Sequence, residues 1–302
     1  MFNISARHLL RLCILSAVLL GSAPKHAHAI GMHNSNITPQ SAYLEYAQLF
    51  PSVGFLFDYN GATPADFSSG VLIDPHWVLT AGHSVVHPNT TNLFDDYLFG
   101  LGANSSTLAE EYQFANEVFL HPNYAGPEAG VDLALLYFET PFVSAAPADI
   151  YAGQVQVGDV ASIVGYGRPG TPATGIQNAD GVKRAGQNVV EFGNSPAPGY
   201  IEYFFSNSSD SNFLPLGAQG LPGDSGGGWF IQDGTDLLLA GITSGGSNLA
   251  RYGSLTSAYL VNQQLGWINE TIASKTAVPE PASAVLLAVG LPFFRRMRRR
   301  TN

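Results

Sequence analysis

One cysteine, Cys13, is present in 302 residues, so no disulfide can form within the chain. Positive charge is almost as scarce. The 13 Lys and Arg face 23 Asp and Glu, a net charge of −10, which argues against binding to a phosphate backbone, because such binding is largely counterion release by clustered Lys and Arg. Charged residues of both signs make up only 12%, too few for a coiled coil, while 45% hydrophobic residues exclude general disorder. Against these shortages stand 33 Gly, 19 Pro and 11% aromatic residues, a composition that favours many short strands and turns over long helices.

The two ends read as addresses. Arg7 and Arg11, the apolar run Leu12 to Leu20 and the small-residue site Ala27-His28-Ala29 have the three-part form of a secretory signal peptide, residues 1–29, to be cut by signal peptidase after Ala29. The apolar run is about half the ~20 residues needed to cross a bilayer. Cys13 lies inside this segment, so the exported form has no thiol nucleophile. At the other end, residues 278–302, Val278-Pro279-Glu280-Pro281 precedes an apolar stretch from Ala282 to Phe294 and a basic close, Arg295-Arg296-Met297-Arg298-Arg299-Arg300. Basic residues after an apolar segment hold that end on the cytoplasmic side. This tail resembles the PEP-CTERM sorting signal of Gram-negative and related bacteria, which in that family is recognised and removed by an exosortase. The resemblance implies transient membrane anchoring and a destination at the cell surface or beyond it. Between the ends, five basic residues (Arg168, Lys183, Arg184, Arg251, Lys275) face 22 acidic ones, so the exported region is strongly acidic.

Short apolar runs bounded by turn signals recur through this region: Val53 to Phe57, Gly70 to Ile73, Trp77 to Thr80, Leu133 to Phe138, Val160 to Val164, Ile201 to Phe205, Trp229 to Ile231 and Leu237 to Ile242. They read as strands. Phe142 to Gly158 is the least patterned stretch and marks a linker, dividing the region into 30–150 and 151–277. Leu260, Val261, Leu265, Ile268 and Ile272 recur at helical spacing and predict a closing amphipathic helix on the second half.

Chemistry concentrates in Gly220-Leu221-Pro222-Gly223-Asp224-Ser225-Gly226-Gly227-Gly228. A serine among glycines sits where the backbone bends sharply and amides can approach a ligand. Its hydroxyl is a weak nucleophile until a base takes the proton, and that base needs a third group to fix its tautomer. His83 follows an apolar strand through Ala81 and Gly82, and Asp132 opens the run Leu133 to Phe138, a costly place for a carboxylate without a partner. The remaining histidines, His33, His76, His87 and His121, show no zinc spacing and carry no catalytic expectation.

Thr80-Ala81-Gly82-His83, Asp132-Leu133-Ala134-Leu135-Leu136 and Gly223-Asp224-Ser225-Gly226-Gly227, in that order, resemble the three signature segments of trypsin-like (chymotrypsin-family) serine endopeptidases. Ser69-Gly70, His121-Pro122, Gly165-Tyr166-Gly167 and Gly241 to Gly246 are lesser matches. The resemblance implies an all-β fold of two six-stranded antiparallel barrels with a C-terminal helix and the site in the cleft between them. It implies Ser225 as nucleophile, His83 as base, Asp132 as its orienting partner, and the amides of Gly223 and Ser225 as the oxyanion hole. It places Gln219 at the floor of the side-chain pocket and Ser244, Gly245, Gly246 and Gly253 on its walls, which suits a medium or large neutral or polar side chain. It also implies that a new N-terminus at Ile30 pairs with Asp224. Two features depart from the family: the continuation Met32-His33-Asn34, and the absence of disulfides. Asp95-Asp96 and Glu110-Glu111 offer oxygen atoms of the kind calcium takes, although paired acids commonly mark a solvated face. No other metal or cofactor is expected, and the chain is expected to act as a monomer on protein or peptide substrates. A catalytically silent module of the same fold, binding protein or glycan at the surface, is the alternative.

Overall fold

The computed structural model describes residues 30–105, 108–247 and 249–276; both terminal signals and Cys13 lie outside them. The first half contributes β2 (Val53–Asn60), β3 (Thr63–Asp74), β4 (Trp77–Thr80), β5 (Asp96–Asn104), β6 (Leu108–Phe114), β7 (Glu117–Leu120) and β8 (Ala134–Tyr137), after a short β1 (Gly31–Met32) and the helix α1 (Gln40–Ala47). The second half contributes β9 (Val160–Gly165), β10 (Gly170–Thr171), β11 (Gly175–Ile176), β12 (Arg184–Val189), β13 (Phe192–Gly193), β14 (Tyr200–Phe204), β15 (Ala218–Gln219), β16 (Gly228–Asp233), β17 (Asp236–Gly246) and β18 (Leu255–Leu260).

Two antiparallel sheets dominate, in the orders β6-β5-β2-β3-β4-β8-β7 and β12-β9-β16-β17-β18-β14-β13. In each, the two edges are successive pieces of one strand. Only Ala115 and Asn116 separate β6, which pairs with β5, from β7, which pairs with β8. Only Val190 and Glu191 separate β12 from β13, which pair with β9 and β14. A bent strand thus serves both edges and curls each sheet upon itself, so seven segments amount to the six strands expected per barrel. Curling leaves few unpaired edge groups.

Each curled sheet encloses its own apolar core. Leu56, Leu72, Val78, Val85, Phe99, Leu101, Leu136 and Phe138 fill the first, and Ile163, Ile201, Tyr203, Trp229, Ala240 and Ala258 the second. Ile30, Met32 and Tyr43 join the second core, so the segment ahead of β2 belongs by packing to the distant half of the chain. His33 is buried beside Phe205, Phe213 and Tyr252. The connection between the halves is pinned by its backbone: Ala148 donates to Leu72 at 2.8 Å, Tyr151 to Leu239 at 2.8 Å, and Gly158 to Val190 at 2.8 Å. Lys183, also buried, joins the two halves by donating to the carbonyls of Phe50 (3.0 Å) and Val53 (3.1 Å), and burial pulls its pKa down to about 8.

The C-terminal helix α2 spans Leu265–Thr276, later than the apolar spacing predicts. Leu260 ends β18 instead, and a 3₁₀ turn over Val261–Gln264 separates the two. Among the described residues no helix is long and apolar enough to cross a membrane.

Candidate active site

Strand β4 is buried along its whole length, and it delivers Ala81, Gly82 and His83 to the cleft. Gly82 must lack a side chain, because a β-carbon there would lie 2.7 Å from the ring of Tyr124 and 3.2 Å from Asp132 Oδ1. His83 then turns in a 3₁₀ segment, Gly82–Val85, and its backbone amide donates to Asp132 Oδ1 at 2.8 Å. Its Nδ1 donates to Asp132 Oδ2 at 2.8 Å, which fixes the tautomer and leaves Nε2 as the acceptor. Ser225 Oγ lies 2.8 Å from that Nε2.

Asp132 is fully buried two residues ahead of β8. Such a carboxylate is tolerable only if its lone pairs are filled. His83 fills two through ring and backbone, and Ser244 Oγ donates to Oδ2 as well. Ser244 reaches it through a bulge: β17 pairs with β18 at Thr243 and again at Gly245, and the register shift between them re-aims residue 244. The His83 imidazole is raised above its ordinary pKa. Burial opposes the charge, but the charge and hydrogen bond of Asp132, with Asp66 and Glu128 adding, outweigh it.

Ser225 sits in a tight loop braced by Asp224 N to Leu221 O, Gly227 N to Asp224 O (2.9 Å each) and Gly226 N to Thr243 O (2.9 Å). Gly223 and Gly226 adopt φ of +99° and +80°, which disfavour any residue with a β-carbon. The loop is tied to the first half of the chain, since Ser69 N donates to Ser225 O at 2.8 Å and Ser69 Oγ to Gly223 O at 3.0 Å. The amides of Gly223 and Ser225 have no partner among the described residues. Asp224 is buried beside the serine and accepts from Gly167 and Leu221, both at 2.8 Å. Burial pushes its pKa up to about 7, against those bonds and the charge of Arg184.

His83, Asp132 and Ser225 are therefore brought together. Ile30 and Asp224 are not joined: Ile30 is buried in the second core at φ +62°, with no hydrogen bond or ion pair to Asp224 among the described residues. Gln219 is fully buried below the loop, with its Nε2 donating to Leu249 O and its Oε1 without a partner; β1 lies against it, so that a β-carbon at Gly31 would fall 2.3 Å from its Cγ. Gly245 and Gly246 line the end of β17, paired with Ser257 and Thr256. Gly253 is exposed in the turn before β18, while Thr256 and Ser257 are the residues paired with Gly246 and Gly245. Ser244 braces Asp132 more directly than it walls a pocket.

Glu128, whose amide donates to Ser244 Oγ at 3.1 Å, carries no motif and is not singled out by the sequence. For calcium, Asp95 Oδ2 accepts from Gly61 N at 2.7 Å, and Glu111 Oε2 from Val143 N (2.9 Å) and Ser144 N (3.0 Å). No group of three metal-ligating side chains occurs among the described residues.

Paired antiparallel barrels with a hydrogen-bonded Asp, His and Ser between them define the class of trypsin-like serine proteases. The chain belongs to the trypsin family: the family model described as Trypsin matches residues 45–268. Complement C1s subcomponent of Sus scrofa is 27% identical over 234 residues, covering 70% of this chain and 33% of that protein. Vitamin K-dependent protein C of Oryctolagus cuniculus is 29% identical over 235 residues, covering 70% and 47%. The chain thus spans less than half the length of either. A trypsin of Saccharopolyspora erythraea is 28% identical over 194 residues, covering 62% of this chain and 78% of that one.

Proposed function

We propose that the protein is an exported serine endopeptidase that cleaves proteins or peptides through an acyl-enzyme on Ser225. The observation that carries this reading is the continuous relay from Asp132 through His83 to Ser225, with both side-chain contacts at 2.8 Å. Ser225 Oγ attacks the scissile carbonyl carbon while His83 Nε2 takes the hydroxyl proton. Asp132 stabilises the imidazolium through Nδ1–H without taking the proton itself. Negative charge gathers on the carbonyl oxygen, which the unpartnered amides of Gly223 and Ser225 are suited to receive. Collapse breaks the C–N bond, and the imidazolium hands its proton to the leaving amine. Water then repeats the cycle on the ester, with His83 again as base.

The resemblance assigns Gln219 to the pocket floor, and a neutral amide there would favour a medium or large neutral or polar side chain ahead of the scissile bond. Processing completes the reading: signal peptidase cuts after Ala29, an exosortase removes the 278–302 tail after transient anchoring, and the product is a monomer at the bacterial cell surface or outside it. An amine created at Ile30 is the proposed partner of Asp224. A silent module is the weaker reading, since binding alone gives no reason to hold all three side chains in register.

The test is intact-protein mass spectrometry of the purified exported protein with and without diisopropyl fluorophosphate. One adduct on the native protein and none on Ser225→Ala is expected, and the same spectrum reads both termini. No adduct on the native protein would favour a binding role.

A further inference from the structure

The loop between β7 and β8 sends one carboxylate into the cleft. Glu128 adopts φ +57°, an unfavourable conformation for a side-chain-bearing residue, and it is held there from three sides. Its amide donates to Ser244 Oγ at 3.1 Å, its Oε1 accepts from Ser257 Oγ at 2.6 Å, and its carboxyl carbon lies so near Gly245 that a β-carbon at 245 would fall 2.5 Å from it. The half-buried carboxylate has no cationic partner among the described residues, and its field reaches the site, where it adds to the forces raising the His83 pKa.

The backbone beneath it is a docking edge. Strand β17 pairs with β16 only as far as Ile242, and beyond the bulge at Ser244 the residues Gly245 and Gly246 pair on one side alone, with β18. An extended peptide with its scissile carbonyl at Ser225 can add to that open edge as a further strand. Successive side chains then point to opposite faces. With the first residue before the scissile bond turned toward Gln219, the second points the other way, toward the loop that carries Asp132 and Glu128.

We propose that Glu128 is a specificity-determining residue, selecting a lysine or arginine side chain at the second position before the scissile bond. The assignment rests on the endopeptidase reading of Ser225. An unpaired carboxylate, pinned by Ser257 and standing over a glycine that leaves it room, offers an incoming cation a fixed partner and repels an acidic residue.

The test compares kcat/KM of the purified exported protein on fluorogenic peptides that differ only in having Lys, Gln or Glu at that second position. Each variant is first labelled with a neutral fluorophosphonate to show a folded, activated serine. The wild type is expected to prefer Lys over Gln by roughly five- to tenfold, with Glu poorest and the preference shrinking as salt is raised. Glu128→Gln, which keeps the size and can still accept from Ser257, is expected to bring the Lys-to-Gln ratio near one, and Glu128→Lys to invert the order of Lys and Glu. A merely structural Glu128 would leave the order and its salt dependence intact. If Glu128→Lys does not label, Glu128→Gln alone decides. Labelled wild type without the preference, or a preference surviving in Glu128→Gln, overturns the assignment; wild type that neither labels nor cleaves overturns the endopeptidase reading beneath it.

Discussion

His83 stands between a buried carboxylate and a serine hydroxyl. On the proposed reading it is the base and must be neutral to act, so activity is expected to rise as the imidazole loses its proton. Because Asp132 holds the His83 pKa above its ordinary 6.5, the acid limb of kcat/KM against pH is expected to have its midpoint above that value. The linked effect on stability has the opposite sense: with the folded pKa raised, the protonated form's contribution is present below the unfolded pKa and is lost as pH rises through the folded one. A kcat/KM profile flat from pH 5 to 8 would remove His83 as the base. Asp132 was legible at this scale because its position opens an apolar run. Glu128 was not, since neither its neighbours in sequence nor any motif marks it, and its place over Gly245 arises only from tertiary packing.

At the scale of elements, two glycines separate conformational need from mere tolerance. A β-carbon at Gly226 would meet Ser69 O and Thr80 Oγ1, both at 2.1 Å, at a φ of +80°. Gly226→Ala is therefore expected to displace the nucleophile loop from the first barrel, lowering Tm by several degrees and abolishing fluorophosphonate labelling. Gly266 in α2 meets nothing within 4 Å, and Gly266→Ala is expected to stabilise that helix by about 0.5–1 kcal/mol, read as a small gain in helical circular dichroism. Eight strands were readable as apolar runs, and Trp77–Thr80 has the predicted bounds. Those missed had other signatures. In β6, Glu110, Glu111 and Gln113 break up the apolar pattern, and β12 begins at Arg184 just after Lys183, a buried pair whose charges are met by carbonyls and by Asp180. Helix α1 carries no capping side chain, which removes the usual start signal. The bend that lets one strand close each barrel depends on pairing partners far apart in sequence, information that local patterning does not hold.

The whole molecule is held without covalent staples. With Cys13 as the only cysteine, the described region relies on two apolar cores, on the Ser69 bonds to the Ser225 loop, and on Lys183 clasping the carbonyls of Phe50 and Val53. Thermal unfolding is accordingly expected to be superimposable with and without dithiothreitol, and a drop in Tm on reduction would reveal a covalent link outside this account.

His83 and Ser225, the proposed base and nucleophile, lie 142 residues apart in the chain, on opposite sides of the barrel boundary. Synthesis delivers His83 and Asp132 long before Ser225 exists, and Ser225 gains its base only when the second barrel has closed and met the first. On the proposed endopeptidase reading, a growing or unfolded chain has no assembled relay, so its chemistry is expected to wait until both barrels have formed. The same division that builds the cleft makes the meeting of the three side chains conditional on the whole fold.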